Sequence, residues 1–300
     1  MHVSTINNQD YIVIAEKLTK NFGGQIAVRD LDFEVPPGVI FGFIGPSGCG
    51  KTTTVRLLTG VYQPTRGALK VWGKSPSQFS RSDRERIGYL PQHFLLSPDL
   101  TVWENMNFAA SIYGFRYPRK QRLHELLERV ELDDHRHKLV RNLSGGMRRR
   151  LSLAATLVHN PSLAFLDEPT AGIDPILRRD LWEYFDQLRG EGCSIFVTTQ
   201  YVGEAAYCDL VGVMVAGRLV VVDSPTGLRR LAYGGDLVRF RSTASISDED
   251  RTQLENLPVC SCPSTRIDAN EIRLVVEEAS TSVPKILEWA REKEIKVEFK

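Results

Sequence analysis

Long hydrophobic runs are missing from this 300-residue sequence. No apolar stretch approaches the roughly 18 to 20 residues that a helix needs to span a bilayer. Residues 1–8 are polar and lack the apolar centre of a secretory signal. We therefore expect a soluble, globular chain that does not cross a membrane by itself.

Cysteine is also scarce, and neither sign of charge dominates. The five cysteines are an odd number without the spacing of a disulfide framework, which indicates a reducing compartment. Cys260 with Cys262, and His135 with His137, lack a second ligand pair, so we predict no zinc site. A formal net charge of +1 gives no sign of nucleic-acid binding, and we expect no nucleic-acid partner. We expect the three arginines at 148–150 to lie on a solvated helix face.

A glycine-rich loop follows residues 39–44, an apolar run typical of a buried strand. The loop reads GPSGCGKT and matches the phosphate-binding pattern GxxxxGK[ST]. Its glycines let backbone N–H groups surround phosphates, Lys51 supplies positive charge to the β and γ phosphates, and the Thr52 hydroxyl can bind Mg²⁺. The expected nucleotide contacts are Gly45, Pro46, Ser47, Gly48, Cys49, Gly50, Lys51, Thr52 and Thr53.

Two acidic residues stand at the end of another predicted strand. Residues 163–166 form a short apolar run, and Asp167 and Glu168 follow it directly. Ligands bind at the carboxyl edge of open α/β sheets. Asp167 therefore fits a Mg²⁺ ligand, and Glu168 fits the base that orients and deprotonates an attacking water. Taken alone, the pair is also compatible with solvated loop residues.

A third motif, LSGGM at residues 143–147, opens a predicted helix. Ser144 is a favourable N-cap, and Met147, Leu151 and Leu157 recur at helical spacing. The free N–H groups and positive dipole end of such a helix favour a phosphate ligand. An ordinary capped surface helix is the alternative that this motif alone leaves open.

The order of these motifs over residues 11–230 closely resembles the ATP-binding cassette (ABC) ATPases. The resemblance implies an α/β fold, namely a P-loop NTPase with a RecA-like core, an antiparallel β subdomain and an inserted helical subdomain. It implies ATP and Mg²⁺ as cofactors. It also implies a subunit that pairs with a second copy or a paralogue, each glycine loop closing against the other chain's Ser144, Gly145 and Gly146.

The same resemblance assigns further site residues. Phe22 matches the aromatic residue that stacks on adenine, with core packing as the alternative. Gln92 matches the hinge glutamine, which in the family contacts Mg²⁺ and water and links the nucleotide site to the membrane partner. Asp174, the last residue of the segment AGID, matches a residue at the dimer seam.

One position departs from the family pattern. After a further predicted strand the family usually has a histidine that contacts the γ-phosphate, whereas this chain has Gln200. An amide can donate a hydrogen bond but cannot carry a proton or a charge. Either the site is slow or inactive, or Gln200 performs the same positioning. Because Lys51, Asp167 and Glu168 are intact, we favour an active ATPase whose catalytic residues are Lys51, Gln92, Glu168 and Gln200.

The sequence divides into a large and a small predicted domain, as 300 residues with 42% hydrophobic content allow. Residues 1–232 form the predicted nucleotide-binding domain, and residues 93–160 form its helical subdomain. Residues 236–300 follow the order βαββαβ, which predicts a small α+β domain of the ferredoxin-like type. This domain resembles an accessory domain of some cassette exporters, and its role stays open.

We expect an ATPase that powers a separate membrane permease and binds peripherally at the cytoplasmic face of the membrane. In the family the permease inserts a coupling helix near the hinge glutamine, so residues 98–113 are the expected contact zone. Trp103, Phe108 and Tyr113 are candidate anchors there unless they face the core. Met147 and the arginines after it resemble the type-2 exporters of drugs, lipids or polysaccharides.

Two alternatives remain for the function. An importer ATPase is one, since small carboxy-terminal ferredoxin-like domains also occur among importers. A soluble cassette protein that acts on ribosomes or DNA is the other. Those branches usually carry two fused cassettes or long coiled-coil inserts, and this sequence has neither. The transported substrate cannot be read from the ATPase, because the permease forms the translocation path.

Overall fold

The computed structural model of the protein describes residues 11–93, 95–114, 119–243, 245–293, 295 and 297–299. Its strands are β1 (Val13–Phe22), β2 (Gln25–Val35), β3 (Ile40–Ile44), β4 (Arg66–Val71), β5 (Ile87–Leu90), β6 (Leu163–Asp167), β7 (Ser194–Thr199), β8 (Leu210–Val215), β9 (Arg218–Asp223), β10 (Asp236–Ser242), β11 (Cys260–Arg266), β12 (Glu271–Val276) and β13 (Val297–Phe299). Its helices are α1 (Lys51–Leu58), α2 (Arg81–Glu85), α3 (Val102–Ile112), α4 (Arg119–Arg129), α5 (Gly145–Thr156), α6 (Pro175–Gly190), α7 (Pro225–Tyr233), α8 (Asp248–Glu255) and α9 (Ala279–Glu292).

The chain forms two compact units, and the division between them falls after Val222. The boundary expected from sequence lies at residues 232–236, where helix α7 ends, and thus about one helix later in the chain. The difference has a local cause. Gly234, with φ at +76°, is the C-cap of α7, so the chain ends a helix at the expected boundary.

A six-stranded sheet in the order β5-β6-β7-β3-β8-β9 forms the centre of the first unit. Strands β5, β6, β7, β3 and β8 are parallel to their neighbours in this order. Every residue of β3, β6 and β7 is buried, as their continuous apolar sequences predict for parallel strands covered on both faces. The carboxyl ends of these three strands meet at one edge, where Ile44 pairs with Thr199 and Asp167 pairs with Thr198.

An antiparallel sheet in the order β2-β1-β4 shares a hydrophobic core with the central sheet. The ring of Phe33 in β2 lies 5.9 Å from that of Phe41 in β3 and 6.3 Å from that of Phe196 in β7, measured between centroids. This packing holds β3, and with it the start of the glycine loop, against both sheets. The predicted α/β core with an antiparallel subdomain is confirmed.

Helices α3, α4 and α5 lie between β5 and β6 in the chain, within the predicted helical region. Helix α3 begins at a capping box formed by Thr101 and Glu104. Helix α4 buries Leu123, Leu126 and Leu127 on one stripe, which is the periodicity seen in the sequence. Over the described residues, the helices are too short or too polar for any of them to cross a membrane.

The second unit has its own sheet, in the order β11-β12-β10-β13 with antiparallel neighbours. Its elements run β10, α8, β11, β12, α9, β13, which is the βαββαβ order expected from sequence. Strand β12 lies between β10 and β11, which are joined through α8, so the arrangement is a split βαβ. Its separate core includes Phe240, Leu254, Ile272, Ile286 and Trp289.

Candidate nucleotide-binding site

The glycine loop between β3 and α1 is packed too tightly to admit larger residues at two of its glycines. A Cβ atom on Gly45 would lie 2.2 Å from the carbonyl oxygen of Met214, and one on Gly50 would lie 2.5 Å from that of Ala27. Gly48 and Gly50 have φ values of +77° and +106°, which glycine adopts without strain. These features account for the glycines of the motif and fix the path of the loop.

Lys51 lies at the centre of the site. It is the first residue of α1, and its side chain is buried against the loop. Its Nζ atom donates to the carbonyl oxygens of Gly45 at 2.8 Å and Pro46 at 3.1 Å, and lies 3.7 Å from Oε1 of Glu168. The ammonium group therefore stands between the glycine loop and the carboxylate at the end of β6.

The remaining loop residues differ in exposure. Ser47 is exposed, Thr52 and Thr53 are half-buried at the start of α1, and Cys49 is buried. Burial raises the pKa of the Cys49 thiol, with the nearby Lys51 ammonium opposing that rise. Cys49 thus packs inside the loop rather than presenting a reactive thiol on its surface.

Asp167 and Glu168 follow β6 at the same edge, as predicted from sequence. Asp167 is fully buried, and its Oδ1 atom accepts a hydrogen bond from the Thr198 hydroxyl. Glu168 has a φ of +52°, a left-handed conformation that is strained for a non-glycine residue. Its N–H group donates to the carbonyl oxygen of Thr198 at 3.0 Å and to the Thr198 hydroxyl at 3.1 Å.

The donor set around Asp167 fits a magnesium ion. Its Oδ2 atom is buried and has no hydrogen-bond partner among the described residues, which is costly for a carboxylate oxygen unless a cation binds it. Across the described part of the chain, no cluster of three or more His, Cys, Asp or Glu side chains could hold a metal by itself. Mg²⁺ commonly uses one or two carboxylates together with substrate phosphates, so a single carboxylate at this edge is sufficient.

The LSGGM motif begins helix α5, as predicted. Ser144 is the N-cap, and its Oγ atom accepts from the N–H group of Met147 at 3.2 Å. Ser144 and Gly145 are exposed, so the helix start faces outward. A Cβ atom on Gly146 would lie 3.1 Å from the carbonyl oxygen of Gly172, which brings this helix start against the segment that precedes Asp174.

Asp174 is the N-cap of helix α6. Its carboxylate accepts from the N–H group of Leu177 at 3.0 Å, and this hydrogen bond lowers the pKa of Asp174. The side chain is exposed, on the same surface segment that Gly146 approaches. Helix α5, which the LSGGM motif opens and which we call the signature helix, is therefore a neighbour of the AGID segment within one chain.

The other residues assigned by resemblance are exposed. Phe22 is 42% exposed and packs edge to face with Tyr62 at 5.2 Å between ring centroids, so it is not a core residue. Gln92 and Gln200 are both exposed, Gln92 after β5 and Gln200 directly after β7. No described contact joins either side chain to Lys51, Asp167 or Glu168.

One expectation about the arginines is wrong. Arg149 is not on a solvated face but is 4% exposed, and it bonds main-chain oxygens beside the site. A signal was present in the sequence, since Arg149 lies one turn before the buried residues Ser152 and Leu153 on the same stripe of α5. Short basic runs on helices are usually solvated. The prediction followed this general pattern and did not use the helical register of Arg149.

Glu204 was also missed. It is 3% exposed and accepts a hydrogen bond from the hydroxyl group of Thr170 at 2.6 Å. Thr170 lies four residues before Asp174 in the chain. Its carboxylate lies 3.6 Å from Nε of Arg178. The sequence shows this glutamate only as one of many acidic residues, and nothing in its spacing indicates burial.

A glycine loop between a buried parallel strand and a helix, with a lysine beside acidic residues at the end of another strand of the same sheet, defines a P-loop nucleotide-binding protein. The description of the family model that matches residues 28–171 is ABC transporter. Together with a relative that is 38% identical and covered over 76% of its length, this match shows that the chain belongs to the ABC transporter family. ATP is the nucleotide that the cassettes of this family bind.

Several relatives are similar to this chain in sequence. The probable multidrug ABC transporter ATP-binding protein YbhF of Escherichia coli (strain K12) is 36% identical over 219 residues, covering 73% of this chain and 38% of that protein. Nod factor export ATP-binding protein I of Cupriavidus metallidurans is 38% identical over 229 residues, covering 76% of each chain. The daunorubicin/doxorubicin resistance ATP-binding protein DrrA of Streptomyces peucetius is 37% identical, covering 75% of this chain and 68% of that protein.

Solved structures show the same fold. An ATP-binding subunit of an ABC transporter superposes with a TM-score of 0.68 at 26% identity, covering 74% of this chain and 93% of that one. CbiO1 from Clostridium perfringens, part of the ABC transporter complex cbiONQ, superposes with a TM-score of 0.63 at 25% identity, covering 83% and 96%. The P-loop NTPase fold expected from sequence is confirmed.

Proposed function

We propose that this chain is the ATP-hydrolysing subunit of an ABC exporter, in which it powers a separate membrane permease. The observation that carries the proposal is the meeting of Lys51, Asp167 and Glu168 at one edge of the central sheet, with Lys51 Nζ 3.7 Å from the Glu168 carboxylate. The names of the relatives, which refer to multidrug transport, Nod factor export and drug resistance, support export.

The site suits phosphoryl transfer by positioning. The loop N–H groups and Lys51 bind the phosphates, and Lys51 exchanges the carbonyl oxygens of Gly45 and Pro46 for phosphate oxygens. Glu168 accepts a proton from water as the water oxygen bonds to the γ-phosphorus. The bond from that phosphorus to the bridging oxygen breaks, which leaves ADP and inorganic phosphate. Gln200 donates its amide hydrogen bond to the γ-phosphate.

The metal completes the charge balance. Mg²⁺ bound by Thr52, Gln92 and Asp167 would neutralise charge on the β and γ phosphates. The unpartnered Oδ2 atom of Asp167 supports this assignment.

The site also calls for a second chain. Ser144 and Gly145 are exposed at the start of α5, where their N–H groups are open to a phosphate held by another copy or a paralogue. The exposed ring of Phe22 supports a role in stacking on adenine. Asp174 would lie at the seam between the two chains. ATP would hold the head-to-tail pair together, and hydrolysis would reopen it.

Replacement of Glu168 by glutamine tests the proposal. We expect Glu168→Gln to lower ATP turnover by at least about 100-fold while ATP binding persists, because the variant keeps the side-chain shape but loses the base. ATP should then trap a dimer that elutes early in gel filtration. Glu191→Gln, at an exposed glutamate after α6, is the matched control and should retain turnover. Wild-type turnover no higher than that of Glu168→Gln, or monomers in the presence of ATP, would contradict the proposal.

The proposed permease contact is an apolar hollow beside Gln92. It has a volume of about 150 Å³, and its lining includes Pro91, Leu95, Phe108 and Ile112. Leu95, Phe108 and Ile112 are exposed, which suits an apolar partner helix. Of the three predicted anchors only Phe108 is exposed, because Trp103 packs on His124 and Tyr113 stacks on His159. An apolar contact of this kind supports the proposal that the chain binds peripherally at the cytoplasmic face of the membrane.

Pull-down with the permease tests the contact. We expect Phe108→Ser to weaken capture of the permease, because it removes an exposed aromatic anchor. Val220→Ser changes a similarly exposed apolar residue on β9 and should leave capture intact. Equal capture by both variants would exclude Phe108 as an anchor. The direction of transport is tested with inverted membrane vesicles, in which ATP-driven accumulation of substrate in the lumen indicates export and release indicates import.

A further inference from the structure

Arg149 is a buried cation whose guanidinium group, among the residues that the structure describes, bonds to main-chain oxygens. Its Nε atom donates to the carbonyl oxygen of Glu168 at 3.2 Å, and Nη2 donates to the same oxygen at 2.8 Å and to that of Asp167. Its Nη1 atom donates to the carbonyl oxygens of Pro91 at 2.7 Å and Gln92 at 3.3 Å. The five contacts match the five N–H donors that a guanidinium group carries.

These four carbonyl oxygens belong to two different segments. Pro91 and Gln92 follow strand β5. Asp167 is the last residue of strand β6, and Glu168 comes directly after it. Arg149 itself lies in the second turn of α5, which begins beside Ser144. One planar group therefore connects the start of the signature helix to the hinge glutamine and to both acidic residues of the nucleotide site.

The bonds to Glu168 bear on its strained backbone. With φ at +52°, Glu168 adopts a left-handed conformation that is unfavourable for an L-residue. Its N–H group is held by Thr198 and its carbonyl oxygen by Arg149. The strained peptide is thus fixed on both sides, and the direction of the Glu168 side chain depends on these bonds.

Among the described residues, no carboxylate oxygen lies close enough to the buried guanidinium group of Arg149 to form a salt bridge with it. Desolvation lowers the pKa of Arg149, and the charges of Asp167 and Glu168 partly oppose that effect. No described salt bridge includes Arg149, so its donors are satisfied by carbonyl oxygens. A hydrophobic residue would fill this position without the desolvation cost, which indicates that the bonding geometry is the reason for an arginine here.

We propose that Arg149 is a positioning residue that holds the Glu168 peptide and the Pro91–Gln92 segment in register with the signature helix. This inference rests on the proposed ATPase function. Movement of α5 then shifts both the carboxylate that activates water and the hinge beside the permease contact. The guanidinium donors are taken up by main-chain oxygens, so loss of Arg149 acts through the placement of Glu168.

The experiment compares Arg149→Lys with a variant of a half-buried arginine. Arg122 lies in α4 and donates to the Leu157 carbonyl oxygen and the Tyr184 hydroxyl, away from the nucleotide motifs, so Arg122→Gln is the control. Arg149→Lys keeps the charge but replaces the planar fork with a point charge. We expect its kcat to fall about 10- to 100-fold, as for small displacements of reacting groups. ATP affinity should stay within about threefold of wild type.

A second variant and a second background make the result decisive. Arg149→Gln removes the charge and should lower kcat by a similar or larger factor at a comparable melting temperature. In the Glu168→Gln background, Arg149→Lys should cause almost no further loss, since both changes act on the same carboxylate.

Equal effects of Arg149→Lys and Arg122→Gln on kcat would overturn the inference, as would unfolding of both Arg149 variants at a temperature at which Arg122→Gln stays folded. By contrast, wild-type turnover no higher than that of Glu168→Gln would refute the proposed function. The two failures are therefore distinguishable.

Discussion

Gln200 is the site residue whose chemistry differs most from the family pattern. It follows the buried strand β7 directly, and its own side chain is exposed. The neighbouring Thr199 hydroxyl accepts from the N–H group of Tyr201 at 3.0 Å, which turns the chain sharply after the strand. Gln200 therefore follows β7 at the same edge of the sheet at which β6 ends in Asp167.

If Gln200 positions the γ-phosphate, its donor group is what matters. We expect Gln200→Ala to lower kcat about 10- to 100-fold, since one hydrogen-bond donor to developing charge is removed. Gln200→His should equal or exceed the wild-type rate. Steady-state ATPase assays on the folded variants check this. A wild-type rate for Gln200→Ala would show that the amide plays no part in turnover.

His159 links protonation to stability. Burial lowers its pKa from 6.5 to about 4, and its Nε2 atom lies 3.1 Å from the carbonyl oxygen of Ile87. Above pH 6.5 the imidazole is neutral in the folded and the unfolded chain. Between pH 6.5 and about 4 the unfolded chain takes up a proton that the folded chain does not, so the unfolding free energy falls as pH drops.

The full loss from His159 amounts to at most about 3 kcal/mol. His159→Gln keeps a donor for the Ile87 carbonyl oxygen but does not titrate. We therefore expect a shallower decline of the unfolding free energy with falling pH in His159→Gln than in wild type, as measured by urea unfolding across this window. Parallel pH profiles for the two proteins would exclude this residue as the source.

At the scale of elements, the segment before α6 is tied to the turn after β7. Glu204 accepts from Thr170, and Arg178 of α6 donates to the Ile173 carbonyl oxygen at 3.0 Å. The Arg178 guanidinium group also lies 4.6 Å from the ring centroid of Tyr201. The AGID segment and the turn that carries Gln200 are therefore linked through one network, of which Thr170 and Glu204 are buried.

Removal of Glu204 should be costly because it leaves Thr170 and Arg178 without their buried partner. We expect Glu204→Ala to lower the unfolding free energy by about 3 kcal/mol. Glu183→Ala breaks an exposed ion pair with Arg179 on the same helix and should cost under about 0.5 kcal/mol. Urea denaturation measures both. Similar values for the two variants would mean that the Glu204 network adds no stability.

Helix and strand elements were predicted well where local signals were strong. Ser144 is an N-cap as expected, and the apolar runs before Gly45 and Asp167 are buried parallel strands. The burial of Arg149 and Glu204 was not predicted. Their partners lie on strands and loops far away in sequence, and the helical pattern alone cannot show which polar side chain faces them.

At the scale of the whole molecule, two separate cores predict two unfolding transitions. The first unit is built on the core beneath the central sheet, and the second on the cluster around Phe240 and Trp289. ATP should raise the melting temperature of the first transition, because it binds the folded nucleotide site. The second transition should not respond to ATP directly.

Phe240→Ala tests this independence, since its side chain is fully buried in the second core. We expect a loss of about 3 to 5 kcal/mol confined to the transition that ATP does not shift. Leu231→Ala, at an exposed leucine of α7, should change neither transition. Calorimetry of the full chain with and without ATP distinguishes these outcomes. A single transition lowered by Phe240→Ala and raised by ATP would contradict two independent units.

The sequence by itself determined the class of protein, because phosphate binding needs glycines, a lysine and a hydroxyl at short fixed spacing, and those signals are local. It also determined the order of elements through hydrophobic periodicity. Only the tertiary structure decided that Arg149 joins the signature helix to Gln92 and Glu168, that Glu204 is buried, and that the two units divide after Val222. These features depend on contacts between distant segments, and their energies arise only when the chain has packed.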